Sequence, residues 1–131
     1  MTPTLTAPFT AVHHVRVPVS DLARAQEFWR DAFGFEHDFA FPGGAGVAVR
    51  HPEGGPSVVL WADAPLATAS RGFVHFGLAV ASVEALDAVA AHLEAVGVTH
   101  GGFQPSFVER KLVFIEDPDG NLVNVYVDGP R

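Results

Sequence analysis

The stretch HHVRVPVSDLARAQEFWRDAFGF, residues 13–35, decides how the chain is read. Val15, Val17 and Val19 alternate with His14, Arg16 and Pro18. In a strand, successive side chains point to opposite faces, so one face is apolar and the other carries an imidazole and a guanidinium. Ser20 and Asp21 then offer N-cap side chains. Leu22, Ala25, Phe28, Trp29 and Ala32 recur at helical spacing to about Phe33, and Gly34 suits a left-handed cap. The stretch predicts a strand feeding a helix, each with one face to bury.

The pattern returns in VHFGLAVASVEALDAVA, residues 74–90. Setting His75 on His14, an offset of 61, places Leu78 on Val17, Val80 on Val19 and Val83 on Leu22. The second helix is predicted from Ser82 to about Val96, with Val83, Leu86, Val89, Ala90 and Leu93 as its stripe and Gly97 after it. Three strand-like stretches follow each helix: Phe35–Phe41, Gly46–Arg50 and Ser57–Trp61, then Val98–Phe103, Lys111–Glu116 and Leu122–Val127. Each half also carries a Pro-acid-Gly turn, HPEG at 51–54 and DPDG at 117–120. The chain therefore divides into a first module of about 9–62, a linker of 63–71 (DAPLATASR) and a second module of about 72–128. Either half, of about 60 residues, would be marginal alone, so the two are expected to pack within the chain or across a dimer.

Composition narrows the function classes. A chain of 131 residues, 48 % of them apolar, suits one compact domain. The net charge of −7 disfavours a nucleic-acid partner, which rewards clustered lysine and arginine. No apolar run is long enough to span a bilayer, and the opening MTPTLTAPFT has neither the basic start nor the apolar stretch of a signal peptide, so a cytoplasmic protein with no membrane partner is expected. The absence of cysteine excludes disulfides and thiolate metal sites.

Three segments, HHVRVPVSDLARAQEFWRDAFGF, HFGLAV and FIEDPDGNLVNVYV, stand in this order on a repeated framework. Together they resemble the glyoxalase / bleomycin-resistance / extradiol-dioxygenase superfamily, also called vicinal oxygen chelate proteins, from about Phe9 to Val127. The resemblance implies an α+β fold in one domain: two βαβββ modules forming a U-shaped mixed sheet, with helices on the outer face and a cleft on the inner one. It places His14 and Arg16 in the cleft, then His75, Gly77 and Ala79, and then Leu122, Asn124 and Tyr126. It also implies a homodimer, with the modules paired within or between chains.

In metal-using relatives the ligands fall at positions that match His14, Leu60, His75 and Asn124. The family's usual residue at the last position is glutamate. Two neutral imidazoles and an amide leave a dication's charge unbalanced, whereas catalytic zinc and non-haem iron sites commonly add a carboxylate. An amide also cannot take up a proton at neutral pH, so Asn124 cannot serve as a general base. Glu116, beside the DPDG turn, is expected at a strand end facing water, and Glu109 in a loop. His37, His51, His92 and His100 are assigned to surface or loop positions, and His13 to a structural role.

Other chemistry remains available in the cleft. Arg16 offers five donors, Asn124 both donates and accepts, and Tyr126 adds a ring and a hydroxyl. Lys111 and Arg110 are placed at the rim, with Leu60, Val58 and Leu122 as apolar walls. The leading expectation is a protein that binds a small organic ligand through His14, Arg16, Leu60, His75, Lys111, Asn124 and Tyr126, by sequestration and with no cofactor. The alternative is a metal-dependent lyase, isomerase or dioxygenase that holds Zn, Mn, Ni or Fe through His14, His75 and a non-standard third ligand. A purely structural module is the third reading, disfavoured by the polar residues directed inward.

Overall fold

A computed structural model describes residues 1–129. The elements run β1 (His14–Val19), α1 (Leu22–Phe33), β2 (Glu36–Ala40), β3 (Gly46–Arg50), β4 (Ser57–Ala62), α2 (Ala64–Ala69), β5 (His75–Val80), α3 (Val83–Ala95), β6 (Phe103–Pro105), β7 (Arg110–Glu116) and β8 (Leu122–Val127). The strands form two four-stranded mixed sheets of matching topology, β1-β4-β3-β2 and β5-β8-β7-β6. In each, the outermost parallel pair is β1–β4 or β5–β8, and the other neighbours are antiparallel. The repeat inferred from residues 13–35 is thus a repeat of βαβββ modules. No helix among the described residues is long and apolar enough to cross a membrane.

Local signals set the helix ends. The Asp21 carboxylate accepts from the Arg24 amide at 3.0 Å, and Gly34 closes α1 at φ 72°. Ser82 caps α3 in the same way, accepting from the Ala85 amide at 3.1 Å. Two elements depart from the sequence reading. The stretch taken as a linker, 63–71, contains α2: Asp63 accepts from the Leu66 amide at 3.0 Å, proline occupies the first turn, and Ala and Leu propagate it. The strand expected over 98–103 starts only at Phe103, because Gly101 and Gly102 (φ 83°) turn the chain before the ladder begins.

The valines of β1 and β4, Val17, Val19, Val58 and Leu60, join Ala25, Trp29 and Ala32 of α1 in one core. Leu112, Ile115, Val123 and Val125 meet Leu86, Ala90 and Leu93 of α3 in the same cluster. The modules share it through Trp29, whose indole stacks on Phe76 at 6.0 Å between centroids and 6° between planes. Where the helices cross, His92 Nε2 donates to the Asp31 carbonyl at 2.6 Å. These residues are separated by the repeat offset of 61, so this contact marks the pseudo-twofold axis.

The DPDGN turn joins the modules by hydrogen bonds. The Asn121 amide donates to the Pro18 carbonyl at 3.1 Å and to Asp117 Oδ2 at 2.7 Å. Asp119 Oδ2 accepts from the Ser20 amide at 3.1 Å. Asp117 Oδ1 in turn accepts from the Asp119 and Asn121 amides. Arg71, just after α2, reaches the Pro118 carbonyl and Glu116 from the solvent side.

Burial pushes the Asp117 carboxyl above its ordinary value of 3.8, against the opposing effect of the Asn121 side-chain and backbone hydrogen bonds. The folded state therefore binds a proton that the unfolded chain has lost, and stability falls as pH rises from 3.8 through the raised value. Carboxyl-detected NMR should give an Asp117 midpoint above 3.8, moving higher still in Asn121→Ala, where a charge-stabilising donor is gone. A midpoint at or below 3.8 contradicts this account of the turn.

Candidate functional site

The faces opposite the helices carry the candidate site. Parallel registers settle which side chains share them. In the second module His75 pairs with Leu122, Gly77 with Asn124 and Ala79 with Tyr126. In the first, His14 pairs with Ser57, Arg16 with Val59 and Pro18 with Trp61. His14, Arg16, His75, Asn124 and Tyr126 therefore lie on the helix-free faces, as expected.

Leu60 does not. It pairs with Val17, is fully buried and belongs to the core under α1. Val58 shares that environment. Strand parity is the reason: β4 aligns with β8 through Ser57 and Leu122, which puts Val59 opposite Asn124 and Trp61 opposite Tyr126 in the repeat. The apolar wall of the first module is Val59 and Trp61, and matching the aromatic Trp61 to Tyr126 would have located it in the sequence.

A β-bulge orients Asn124. Lys111 and Leu112 pair with Tyr126 and Val125, and pairing resumes at Ile115 with Val123. Val113 and Phe114 thus both stand opposite Asn124, with Phe114 at φ 56°, an uncommon conformation for an aromatic residue. The bulge turns the Phe114 amide onto the Asn124 side chain, and Oδ1 accepts from it at 2.9 Å. A backbone N–H can only donate, so this contact fixes the amide's orientation. Asn124 Nδ2 then faces His75 Nε2 at 2.9 Å and the Tyr126 hydroxyl at 3.5 Å. Nδ2 is a donor, so His75 Nε2 accepts and its ring proton sits on Nδ1. Asn124 is only 4 % exposed, while the His75 ring it meets is open to solvent.

Each module also presents an aromatic ring with a cation beside it. The Arg16 guanidinium lies 4.1 Å from the Trp61 ring centroid. Lys111 Nζ lies 5.4 Å from the Tyr126 ring. Both rings pack on glycine: a Cβ at Gly46 would come within 2.4 Å of Trp61, and one at Gly77 within 2.7 Å of Tyr126. Arg110 is tied to Asp87 at 2.6 Å and also pairs with Glu109, while its guanidinium lies over Phe103. It is therefore less free than Lys111 to meet a ligand. Glu116 is exposed and paired with Arg71, as its position next to the turn implies.

Residues 11–125 match the Glyoxalase/Bleomycin resistance protein/Dioxygenase superfamily. The chain belongs to that superfamily. No curated protein matches the chain. Among solved structures, lactoylglutathione lyase from Agrobacterium tumefaciens aligns over 92 % of this chain and 96 % of its own, with TM-score 0.73 and 22 % identity, a likeness of fold. TnmS3, an antibiotic binding protein from Streptomyces sp. CB03234, aligns over 94 % of this chain and 99 % of its own, with TM-score 0.71 and 26 % identity. A glyoxalase/bleomycin resistance protein from the same Streptomyces aligns over 88 % and 98 %, with TM-score 0.68 and 27 % identity.

Members of the superfamily often use divalent metals, and the donor set here does not fit one within a single chain. His75 Nε2 is already an acceptor for the Asn124 amide, and Asn124 Oδ1 is committed to a backbone N–H. The ring partner of His14 is the neighbouring His13, with the two Nδ1 atoms 3.1 Å apart. Among the described residues, no group of three or more His, Asp or Glu side chains comes together to hold an ion.

Proposed function

We propose that this chain, acting as one domain, binds a compact organic ligand on its helix-free faces and sequesters it without a metal. The observation that carries this reading is the Asn124–His75 contact, which turns a donor toward the nitrogen a metal would need. The residues proposed to meet the ligand are His14, Arg16, His75, Lys111, Asn124 and Tyr126, joined by Trp61. Two rings, each flanked by a cation, suit a planar aromatic molecule carrying an acidic group: the rings stack and the cations pair. The antibiotic-binding relative at 26 % identity supports the same class of activity. We further propose that two copies pair in the cytoplasm, so that the open helix-free faces, with Phe114 and Phe39 exposed, complete each other's cleft. The competing reading is a metal-dependent lyase, isomerase or dioxygenase built on His14 and His75, with Zn, Mn, Ni or Fe.

The test uses 1-pyrenesulfonate, an aromatic anion, with the full chain. Titration should quench tryptophan emission saturably and identically with and without EDTA. Arg16→Ala and Trp61→Ala should each weaken binding by about tenfold, the worth of one desolvated cation–π contact. Loss of binding on EDTA treatment, or one equivalent of metal co-purifying in a manner dependent on His14 and His75, overturns the proposal in favour of the enzyme.

A further inference from the structure

The two modules are related by pseudo-symmetry, yet their turns are used differently. Residues 51–54 and 117–120 are built alike. Glu53 N–H donates to His51 Nδ1 at 3.1 Å, as Asp119 N–H donates to Asp117 Oδ1 at 2.9 Å. Gly54 N–H donates to the His51 carbonyl at 3.0 Å, as Gly120 N–H donates to that of Asp117 at 3.1 Å. In the second module the next residue is Asn121, whose amide spans to Pro18 at the end of β1 and shuts the gap between the modules. In the first module Gly55 and Pro56 fill that place, and neither has a side chain that can reach across to the end of β5. A cavity of about 500 Å³ lies there, bounded by Gly54, Gly55 and Pro56 on one side and by Leu78, Ala79 and Val80 on the other.

From this asymmetry we infer a second ligand site, on the helix side of the sheets and distinct from the helix-free faces. Its volume is within the range of small-molecule pockets. The walls decide the ligand class. Phe33, Phe35, Val89 and Val125 are apolar, and among the described residues the only polar side chains lining the cavity are His51 and His92. Among the described residues no side chain of Asp, Glu, Lys or Arg lines it, so a charged ligand would lose its hydration with none of them to replace it.

The imidazoles are each anchored by one nitrogen. His92 Nε2 donates to the Asp31 carbonyl, which leaves Nδ1 of the neutral ring as an acceptor. His51 Nδ1 accepts from the Glu53 amide, which leaves its Nε2–H as a donor. The site fits an uncharged, largely apolar ring compound with one or two hydrogen-bonding groups.

The probe is N-phenyl-1-naphthylamine, an uncharged aromatic with a single N–H donor, titrated into the full-length chain. Its emission should rise and shift to the blue, saturating at one equivalent per chain. Amide NMR shifts should move at Leu78–Val80 and Val89–His92, while the side-chain signals of Arg16, Trp61 and Asn124 on the helix-free faces stay fixed. Ala88, exposed on α3 and lining the cavity, can be enlarged without disturbing the core. Affinity should fall progressively through Ala88→Leu and Ala88→Trp, by at least tenfold in the latter, with both variants melting like the parent. Absence of saturable binding, equal affinity in Ala88→Trp, or perturbations centred on Asn124 overturns the inference. Because the helix-free faces are read by a different probe, failure here leaves the proposed function standing, and failure there leaves this site standing.

Discussion

Replacing Trp29 with alanine is expected to cost about 3–5 kcal/mol, the range for deleting a large aromatic side chain from a packed core. Trp29 is fully buried, and its ring meets Phe28, Phe33 and Phe35 of its own module and Phe76 of the other. The cavity left behind would lie on the seam between modules, where neither half can collapse without separating from its partner. Since domains of this size hold only about 5–15 kcal/mol in total, the melting temperature should drop by more than about 10 °C.

Trp29→Phe separates packing from polarity. The indole Nε1 is the only buried side-chain nitrogen or oxygen without a hydrogen-bond partner among the described residues. That unpaired donor is a standing cost, and phenylalanine removes it while keeping a ring on Phe76. Its net cost should stay below about 1.5 kcal/mol. Urea denaturation of both variants checks the pair. A loss under about 1.5 kcal/mol for Trp29→Ala would mean that the modules are held together elsewhere.

Much of this architecture was legible because it depends on short-range rules. The alternation in VHHVRVPV placed Val17 and Val19 under a helix, and the caps at Asp21 and Ser82 fixed the helix starts. The placements that went astray needed pairing information. Leu60 is matched to Asn124 one residue out of register, because the turns before β4 and β8 differ in length and the equivalent of Asn124 is Val59. The first module has two residues, Gly55 and Pro56, where the second has Asn121 alone. A slip of one residue in a strand exchanges the two faces, so the error moved a core leucine into the site and hid Trp61. The bulge at Val113–Phe114 was equally out of reach, since nothing in KLVFIE announces a positive φ at a phenylalanine. The DPDGN turn, ordinary as a motif, owes its importance to distant partners, Pro18 and Ser20. His51 lies in a turn and His92 is exposed on α3, in keeping with surface or loop positions, and only the docking of the modules brings both to the wall of one cavity.

The orientation of the Asn124 amide also dictates what restoring an acid should do. In the native chain Nδ2 directs a donor at His75 Nε2, so an incoming cation must displace that hydrogen bond and receives no negative charge in return. Asn124→Glu removes the donor, frees the imidazole lone pair and supplies a carboxylate on the same face. One charge-assisted contact is worth about 1.5–3 kcal/mol, so affinity for Zn, Ni, Mn or Fe should rise by about ten- to 100-fold in calorimetric titrations. Asn124→Gln, which alters length but keeps the amide, should show no such rise, and His75→Ala in the Asn124→Glu background should abolish it. The exchange has a structural consequence as well. The longer side chain carries the acceptor away from the Phe114 amide at the bulge and puts a charge at a position only 4 % exposed, which should destabilise the fold by about 1–3 kcal/mol without metal, and saturating metal should return part of that loss. Equal metal affinity in the native and Asn124→Glu proteins would show that the amide is not what keeps the ion out, and that the two imidazoles are too far apart to act together even when the acid is restored.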